Sequence, residues 1–272
     1  MVNYAILQTM SNYIAIDIGG TQTRLSVFPS TSSNPSFSTR IPTQKEGELP
    51  LDRLLGLIDS VWEKNQPVLA IGAAVASPVD PERGLVIAPP NIPGWVNLPL
   101  QKHIQDRFPV PTALGNDANL AALAEWKFGA AKGHRNMIYI TVSTGIGGGV
   151  ILDDKLLIGE RGLAGELGHI SVMEGGPLCG CGQHGHLEAV CSGLSIARWF
   201  EEELKKGKTS ILKPDHLLTA KEIGEAAARG DELSIAAFSR AGIYLGRAFA
   251  DFLQTDFLPG HPGQGLRRYI LK

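Results

Sequence analysis

The sequence predicts an α/β protein made of two parts. Residues 13–28 and 137–154 share one pattern, in which a strand is followed by a turn of glycines and hydroxyl-bearing residues and then by a second strand. Segments with the apolar spacing of helices lie between and after these two stretches. The 272-residue chain is long enough for two ordinary domains, and the repeated pattern suggests an internal duplication.

The individual elements follow from local patterns. An apolar run predicts a strand at 13–17, alternation predicts one at 23–28, and further strands are expected at 68–75 and 112–114. Residues 30–38 are rich in turn-forming residues and predict a turn or loop, and the proline-rich residues 78–99 predict a loop with short strand pieces. Asn116 and Ser192 carry oxygens that cap helices, and Gly230 is suited to end one. Helices are therefore predicted at 51–62, within 96–108, from Asn116 onward, and at 193–205, 219–229 and 231–253.

Composition excludes several classes of function. The formal net charge of -2 offers no electrostatic case for binding nucleic acid. No apolar stretch reaches the roughly 18 residues that a membrane span needs, and the N-terminus lacks the pattern of a secretory signal. Three cysteines do not make a disulfide framework. These observations predict a cytoplasmic protein that binds neither nucleic acid nor membrane.

The two glycine turns are candidate phosphate-binding loops. Glycine lets backbone N–H groups approach an anion closely and permits positive φ, and two such loops predict a nucleotide held between two lobes. Asp17 is placed to hold Mg²⁺ through water. An ordinary hairpin turn is the alternative explanation for the first loop. The candidate phosphate ligands are Gly19, Gly20 and Thr21 in the first loop and Thr144, Gly145 and Gly147 in the second.

Asn116 and Asp117 stand at a strand-to-helix junction between the two loops in sequence. A carboxylate there could take a proton from a hydroxyl nucleophile, and the helix dipole would help to keep it ionised. A plain helix cap is the alternative explanation of the pair.

A glycine-rich segment with cysteine and histidine predicts a metal site. Structural zinc takes four Cys or His ligands, and His169, Cys179, Cys181 and His186 supply that number. His184 competes with His186 for the fourth place, and two free thiols in a loop are the alternative to any metal. Glu166 lies three residues before His169, so on a helical turn the two would share a face.

On these residues the chain resembles the ROK (repressor, open reading frame, kinase) family of sugar kinases, and within it the bacterial glucokinases. The matching stretches cover most of residues 12–254 in family order. They are Asp17–Thr21, Pro90–Trp95, Asn116-Asp117, Ser143–Gly149, Glu166–His169 and Cys179–Glu188.

The resemblance implies an actin-like ATPase (ribonuclease H-like) fold of two α/β lobes with a central cleft. The expected division is a small lobe at 1–115, a large lobe with the zinc loop at 116–254 and an atypical tail at 255–272. The implied activity is ATP-dependent phosphorylation of a hexose, with Asp117 as general base. Glucose is the first expectation, and fructose, mannose, N-acetylmannosamine and N-acetylglucosamine remain open.

The resemblance also assigns the sugar ligands and the role of the metal. His169 would bind zinc with one ring nitrogen and sugar with the other, and a structural zinc would orient the sugar pocket. Family members are commonly homodimers, so a homodimer is also expected. The implied sugar-binding residues are Asn91, Asn116, Asp117, Glu166, His169 and Glu188.

The chain departs from the family pattern in two places. His186 stands where the family usually has a third cysteine, and we expect zinc to remain bound by a Cys2His2 set. After Thr255 the family's apolar strand, glycine turn and final helix are not recognisable, which suggests truncation or a frame shift. A catalytically impaired, sugar-binding remnant is therefore the main alternative. A repressor is disfavoured because sixteen residues before Asp17 are too few for a helix-turn-helix. Met1 and Met10 both remain open as the start.

Overall fold

The computed structural model describes residues 11–89, 91–213, 215–255 and 270–271. Its contacts divide the chain into two compact units. The first unit comprises the residues up to Leu120 together with Ile158–Leu163. The second unit comprises Ala121–Leu157 and the residues from Ala164 onward.

The first unit is built on a mixed five-stranded sheet. Strands β1 (Asn12–Ile18), β2 (Gln22–Pro29) and β3 (Phe37–Pro42) form an antiparallel meander, and β4 (Val68–Val75) and β7 (Thr112–Asn116) extend it in parallel on the side of β1. The strand order is β3-β2-β1-β4-β7. Two short strands, β5 (Val79–Asp80) and β6 (Leu85–Val86), pair with each other. Helices α1 (Pro50–Trp62) and α2 (Leu100–Arg107) complete the unit.

The core of the first unit lies between its sheet and its helices. Ile14, Ile16 and Ile18 alternate along β1 with exposed residues and are almost fully buried, as a strand with one face on the core requires. Helix α1 turns Leu54 and Ile58 to the same cluster, one helical turn apart. Burial of these side chains fixes the register of β1 against its neighbours.

Three parallel strands end at the same edge of this sheet. Strands β1, β4 and β7 run in one direction, and their register aligns Asp17 with Ala74 and Ala74 with Gly115. Helix α3 (Asp117–Lys127) begins directly after β7. The carboxyl edge of a parallel sheet is where ligands bind in open α/β folds, and Asp17 and Asp117 both stand there.

The second unit contains a four-stranded sheet and most of the helices. Strands β8 (Met137–Val142), β9 (Ile146–Leu152) and β10 (Lys155–Leu156) are antiparallel, and the backbone of β11 (Ile270–Leu271) pairs in parallel with β8. A core of side chains from β8, β9 and the helices joins these elements. The helices are α4 (Leu187–Cys191), α5 (Gly193–Lys205), α6 (Ala220–Ala228) and α7 (Glu232–Thr255).

The two sheets repeat one arrangement. The order β3-β2-β1-β4 in the first unit corresponds to β10-β9-β8-β11 in the second. In each sheet the first three strands of this order are antiparallel to their neighbours, and the fourth strand is parallel to the third. Both glycine loops connect the first two strands of their sheet. The internal duplication suggested by the sequence stays a hypothesis to which this shared order adds support.

Most of the predicted elements are confirmed, including the hairpins, the strand at 68–75 and the long helices. Ser192 caps α5 by accepting from the Ser195 amide, and Gly230 ends α6 with φ +89°. The helix expected within 96–108 starts only at Leu100, because Pro99 is its cap and Asn97 has φ +51°.

Strand β3 and helix α4 are the longest strand and the α-helix that the sequence analysis missed among the described elements. Strand β3 lies in and after a segment predicted as loop, and none of its residues is buried, so it has no apolar signature. Helix α4 spans five residues, which is too short for a periodic signal. The described part of the chain leaves out residues 1–10, Pro90 and residues 256–269. The predictions for the start of the chain, for Pro90 and for most of the tail therefore lie outside the described residues. No described helix is both long and apolar enough to cross a membrane.

Candidate active site

Asn116 and Asp117 form the junction between β7 and α3. The Asn116 side-chain oxygen accepts the Asn119 amide at 3.0 Å and its Nδ2 donates to the Ser77 carbonyl at 3.2 Å. Asn116 therefore caps the helix and ties it to the segment after β4. The Asp117 carboxylate accepts the Ala118 amide at 2.8 Å, and the side chain is exposed at the carboxyl edge of the sheet.

The pKa of Asp117 is raised. Partial burial of the carboxylate is the main cause, and the negative charge of Asp17 adds to it, while the Ala118 amide acts in the opposite direction. A carboxylate with a raised pKa is a stronger base than an ordinary aspartate, and it remains accessible to a substrate. These two properties suit the general base that the sequence predicts at this position.

The first glycine loop is held from inside the first unit. The Gly19 amide donates to the Gln22 carbonyl at 3.0 Å, and the Thr43 hydroxyl donates to the Gly19 carbonyl at 2.7 Å. The Gly19 amide therefore closes the turn, and its predicted phosphate contact stays a prediction. Thr21 is exposed at the tip of the loop.

Asn91 lies against this loop. A Cβ atom at position 20 would stand 2.4 Å from Cβ of Asn91, so Gly20 is required for the approach of these two residues. Gln44 donates to the carbonyl oxygens of Gly20 at 3.1 Å and Asn91 at 2.6 Å. The Asn91 segment is anchored by the buried side chains of Ile92 and Trp95, which leaves Asn91 itself exposed.

Asp17 is exposed and faces Arg24 across the β1–β2 hairpin. The guanidinium and the carboxylate are 3.7 Å apart, and both side chains are 58% exposed. An ion pair this exposed contributes little to stability, so Asp17 remains available to a hydrated cation.

The second glycine loop is joined to Glu188. The Glu188 carboxylate accepts the Ile146 amide at 2.9 Å, and the Gly193 amide donates to the Ser143 carbonyl at 2.8 Å. Thr144 at the tip is exposed, as Thr21 is in the first loop. The α4–α5 region therefore holds the base of this loop.

At three positions of the two loops, glycine leaves space that neighbouring atoms occupy. None of Gly19, Gly20, Gly145, Gly147, Gly148 and Gly149 has positive φ. Positions 20, 145 and 148 have no room for a side chain, since an added Cβ would come within 2.4–2.7 Å of a neighbouring atom. The expectation of positive φ was wrong, and close packing is the reason for glycine at these three positions.

Four side chains of the second unit converge as a candidate metal centre. The ligand atoms of His169, Cys179, Cys181 and His186 all lie within 4.8 Å of one another. Nδ1 of His169 is 3.5 Å from the Cys179 sulfur, and Nδ1 of His186 is 3.2 Å from the Cys181 sulfur. Tetrahedral zinc with bonds of about 2.0–2.3 Å separates its ligand atoms by roughly 3.3–3.8 Å. The donor set and its spacing fit zinc.

The backbone around the cysteines forms a compact turn. The Gly182 amide donates to the Cys179 carbonyl at 2.9 Å, and the Cys179 amide donates to the Gln183 carbonyl at 2.7 Å. Gly182 has φ +89°, which favours glycine. His184 lies outside the four-residue group, with Nδ1 3.0 Å from the Gly176 carbonyl. Burial raises the pKa of the Cys179 thiol.

His169 presents its two ring nitrogens to different neighbours. Nδ1 faces Cys179, whereas Nε2 is 3.9 Å from the Glu166 carboxylate. Both residues belong to the 3₁₀ turn at Leu167–His169 and its preceding residue. The ring can therefore join the metal group on one side and a substrate hydroxyl on the other.

Sequence reasoning missed the residues that hold the site in place. Thr43 and Gln44 support the first loop, and the Ile146 amide positions Glu188. Their partners are more than 20 residues away in sequence, and each of the three contacts involves a backbone atom. No local signal in the sequence could have revealed them.

The chain belongs to the ROK family, whose family model matches residues 13–257. A glucokinase of Halalkalibacterium halodurans is 34% identical over 88% of this chain and 75% of its own length. An N-acetylmannosamine kinase of Escherichia coli is 35% identical over 89% of this chain and 78% of its own.

The fold of the chain is also similar to that of a solved ROK family structure. The ROK family glucokinase from Streptomyces griseus, crystallised in complex with glucose and AMPPNP, superimposes with a TM-score of 0.71 at 33% identity. The match covers 89% of this chain and 78% of that one. Together with the family match, these relatives assign the chain to the ATP-dependent kinases of the hexokinase type.

Proposed function

We propose that this protein transfers the γ-phosphate of ATP to glucose and forms glucose 6-phosphate. The observation that carries the proposal is the base at the carboxyl edge of the first sheet, where Asp117 has a raised pKa beside Asp17. The related glucokinases support glucose as the substrate. A two-lobed actin-like ATPase fold is part of the proposal because of the family relationship.

Asp117 is the proposed general base. It would accept the proton of the attacking sugar hydroxyl as that oxygen forms its bond to the γ-phosphorus and the bond to the β-phosphate oxygen breaks. Phosphoryl transfer depends mainly on positioning and on stabilising charge, so the hydrogen bonds that fix Asn116 and the start of α3 matter as much as the base itself.

The proposed sugar ligands come from both units. Asn91, Asn116 and Asp117 belong to the first unit, and the second unit supplies carboxylates and a histidine that surround its cysteine cluster. Carboxylates and amides are suited to sugar hydroxyls because they accept or donate several hydrogen bonds. The residues proposed from the second unit are Glu166, His169 and Glu188.

Zinc is proposed as a structural ion at His169, Cys179, Cys181 and His186. When bound, it would fix the ring orientation of His169 and so orient the nitrogen that faces Glu166. Burial raises the pKa of the Cys179 thiol. A bound cation would act in the opposite direction and favour the thiolate of Cys179.

The nucleotide is proposed to lie with its phosphates on the two glycine loops. Thr21 and Thr144 are exposed at the loop tips, where hydroxyl and amide groups can reach phosphate oxygens. Mg²⁺ would be held by Asp17 through water, since this ion keeps several waters in protein sites.

N-acetylmannosamine is the second candidate substrate. The Escherichia coli kinase named for this sugar is 35% identical to the chain, and the glucokinase of Halalkalibacterium halodurans is 34% identical. A hydrogen bond to a single hydroxyl can change the ratio of kcat/KM between two such sugars by a large factor. A direct comparison of the sugars therefore distinguishes the two candidates.

The decisive experiment is a sugar panel with ATP and Mg²⁺, read by coupled ADP formation. Wild type should phosphorylate glucose with the highest kcat/KM, and Asp117→Asn should lose about 10²–10⁴-fold in kcat while still binding sugar. Asp106→Asn is the matched control, because Asp106 is an exposed aspartate paired with Lys102 on α2. Sugar binding without any turnover would favour the non-catalytic alternative, and a preference for N-acetylmannosamine would replace glucose.

A further inference from the structure

The Glu188 side chain is held by the second glycine loop. One carboxylate oxygen accepts the Ile146 amide at 2.9 Å. The other oxygen lies 3.9 Å from the Cys179 sulfur. A carboxylate has about four acceptor positions, so both oxygens keep capacity for ligand hydroxyls while the Ile146 amide sets their orientation.

The backbone of Glu188 is fixed as firmly as its side chain. The Ser195 hydroxyl donates to the Glu188 carbonyl at 2.7 Å, and the Ser192 amide donates to the same oxygen at 3.0 Å. Residues 187 and 189–191 of α4 are buried. Movement of the Glu188 carboxylate is therefore limited to its own side-chain torsions, which the loop contact restrains.

Glycine at position 145 leaves the space that this arrangement needs. A Cβ atom there would stand 2.4 Å from the carboxylate oxygen of Glu188. That oxygen is the one that accepts the Ile146 amide. Because the carboxylate is the end of a side chain with rotatable bonds, an added methyl would be accommodated by displacing Glu188.

The carbonyl group of Ile146 is also closely packed. A Cβ atom at Gly168 would come within 2.1 Å of the Ile146 carbonyl, and Gly168 immediately precedes His169. The Ile146 residue is thus confined between Glu188 on its amide side and Gly168 on its carbonyl side. Both neighbours belong to segments that carry proposed sugar ligands.

We propose that Gly145 and the Ile146 amide position the Glu188 carboxylate for the sugar. Gly145 then acts in sugar binding as a positioning residue, separately from its predicted contact with the nucleotide phosphate. This role rests on the proposed function, since it concerns the orientation of Glu188, one of the residues proposed to bind the sugar.

Calorimetric titration of glucose in the absence of nucleotide tests the proposal. Gly145→Ala should weaken glucose binding by at least about tenfold, because a hydrogen-bonded charged ligand is displaced. Gly242→Ala on α7 is the matched control, since a Cβ added at this exposed position would meet nothing within 4 Å, and its glucose affinity should equal that of wild type. In a Glu188→Ala background, Gly145→Ala should cause no further loss. Unchanged glucose affinity in Gly145→Ala would overturn the proposal.

Amide hydrogen exchange at Ile146 provides a second measurement that needs neither the Gly145 variant nor a sugar. Glu188→Ala should speed exchange at this amide by about tenfold or more, whereas Glu188→Gln keeps an acceptor oxygen and should preserve most of the protection. Equal protection in wild type and Glu188→Ala would refute the contact. If wild type binds no hexose while the exchange results hold, the proposed function fails and the role of the loop in placing Glu188 stands.

Discussion

Asp117 combines two properties that rarely occur together on a surface residue. Its side chain is exposed, yet neighbouring protein atoms and the Asp17 charge raise its pKa. The cause is its position at the start of α3, where the parallel strands end and Asp17 also stands. A proton acceptor must reach its substrate and must also bind the proton, and this location provides both.

The raised pKa predicts the acid side of the pH profile. A protonated Asp117 cannot accept the sugar proton, so kcat/KM for the sugar should fall with decreasing pH, with a midpoint above the usual aspartate range. Asp17→Asn removes one cause of the shift and should move the midpoint to lower pH even where the maximal rate is reduced. The profile is measured at saturating magnesium nucleotide. A wild-type midpoint at or below that of an ordinary aspartate would contradict this role.

His186 and His184 allow a matched test of the metal centre. His186 lies in the four-residue group and His184 does not. Wild type and His184→Ala should contain about one zinc per chain, His186→Ala should lose most of it, and His186→Cys should retain it because cysteine is an equally competent ligand. Elemental analysis of purified protein gives the answer. Equal zinc loss in both alanine variants, or no zinc in wild type, would count against the assignment.

At the scale of secondary-structure elements, the two glycine hairpins are defined by what packs against them. Asn91 approaches the first loop and Glu188 approaches the second. In both cases the neighbour is a proposed sugar ligand, and a Cβ added at the glycine would stand 2.4 Å from the nearest atom of that neighbour. Each hairpin therefore places a predicted phosphate loop beside a proposed sugar-binding side chain of the same unit.

Helix α7 depends on a buried aspartate just before its first residue. Asp231 is 5% exposed and accepts the Ser234 amide, the Ser234 and Ser210 hydroxyls and the Ile211 amide at 2.6–2.9 Å. Burial acts to raise the pKa of Asp231, but these hydrogen bonds outweigh it, and the pKa is lowered. One carboxylate therefore caps the longest helix and holds the loop before α6 to it.

Removal of this cap should be costly. Asp231→Ala should lower the free energy of unfolding by about 2–3 kcal/mol, and Asp231→Asn should cost less because asparagine also caps helices. Since the folded-state pKa is lowered, the carboxylate stabilises the protein at neutral pH and loses this effect as pH falls through that pKa. Urea unfolding at neutral and acid pH measures both effects. A difference between wild type and Asp231→Asn that persists unchanged in acid would oppose this account.

At the scale of the whole molecule, the chain forms two compact units with separate cores. The proposed catalytic base belongs to the first unit, and the candidate zinc centre belongs to the second. Each unit carries some of the residues proposed to bind the substrates. Each unit therefore contains one of the two candidate phosphate loops, and the candidate zinc centre lies in the second unit alone.

The separate cores predict that metal removal acts on one unit. Calorimetric unfolding should show two transitions, and a chelator should lower the temperature of one of them by about 5–10 °C while leaving the other in place. The Cys181→Ser variant should reproduce the shift without chelator. Both transitions moving together, or neither moving, would be inconsistent with a zinc centre that stabilises the second unit alone.

Much of this protein was accessible from its amino-acid order. The alternation of Ile14, Ile16 and Ile18 predicts a half-buried strand, and the run at 68–75 predicts a buried one, because burial imposes a period on the residues themselves. The four candidate zinc ligands were also recognisable, since cysteine and histidine close together in a glycine-rich segment have few other uses. These features depend on chemistry that each segment carries locally.

Other features depended on contacts between distant segments. Strand β3 has no buried residue and exists because β2 offers it a hydrogen-bonding edge. The close contacts at positions 20 and 145 come from Asn91 and Glu188, more than 40 residues away. The pKa of Asp117 is raised mainly by burial and also by the charge of Asp17, a hundred residues earlier. The local pattern of apolar residues predicts which face of a segment is buried, because burial acts on each residue separately. It does not predict which distant residue packs against that face, and in this protein such contacts determine the chemistry of the candidate site.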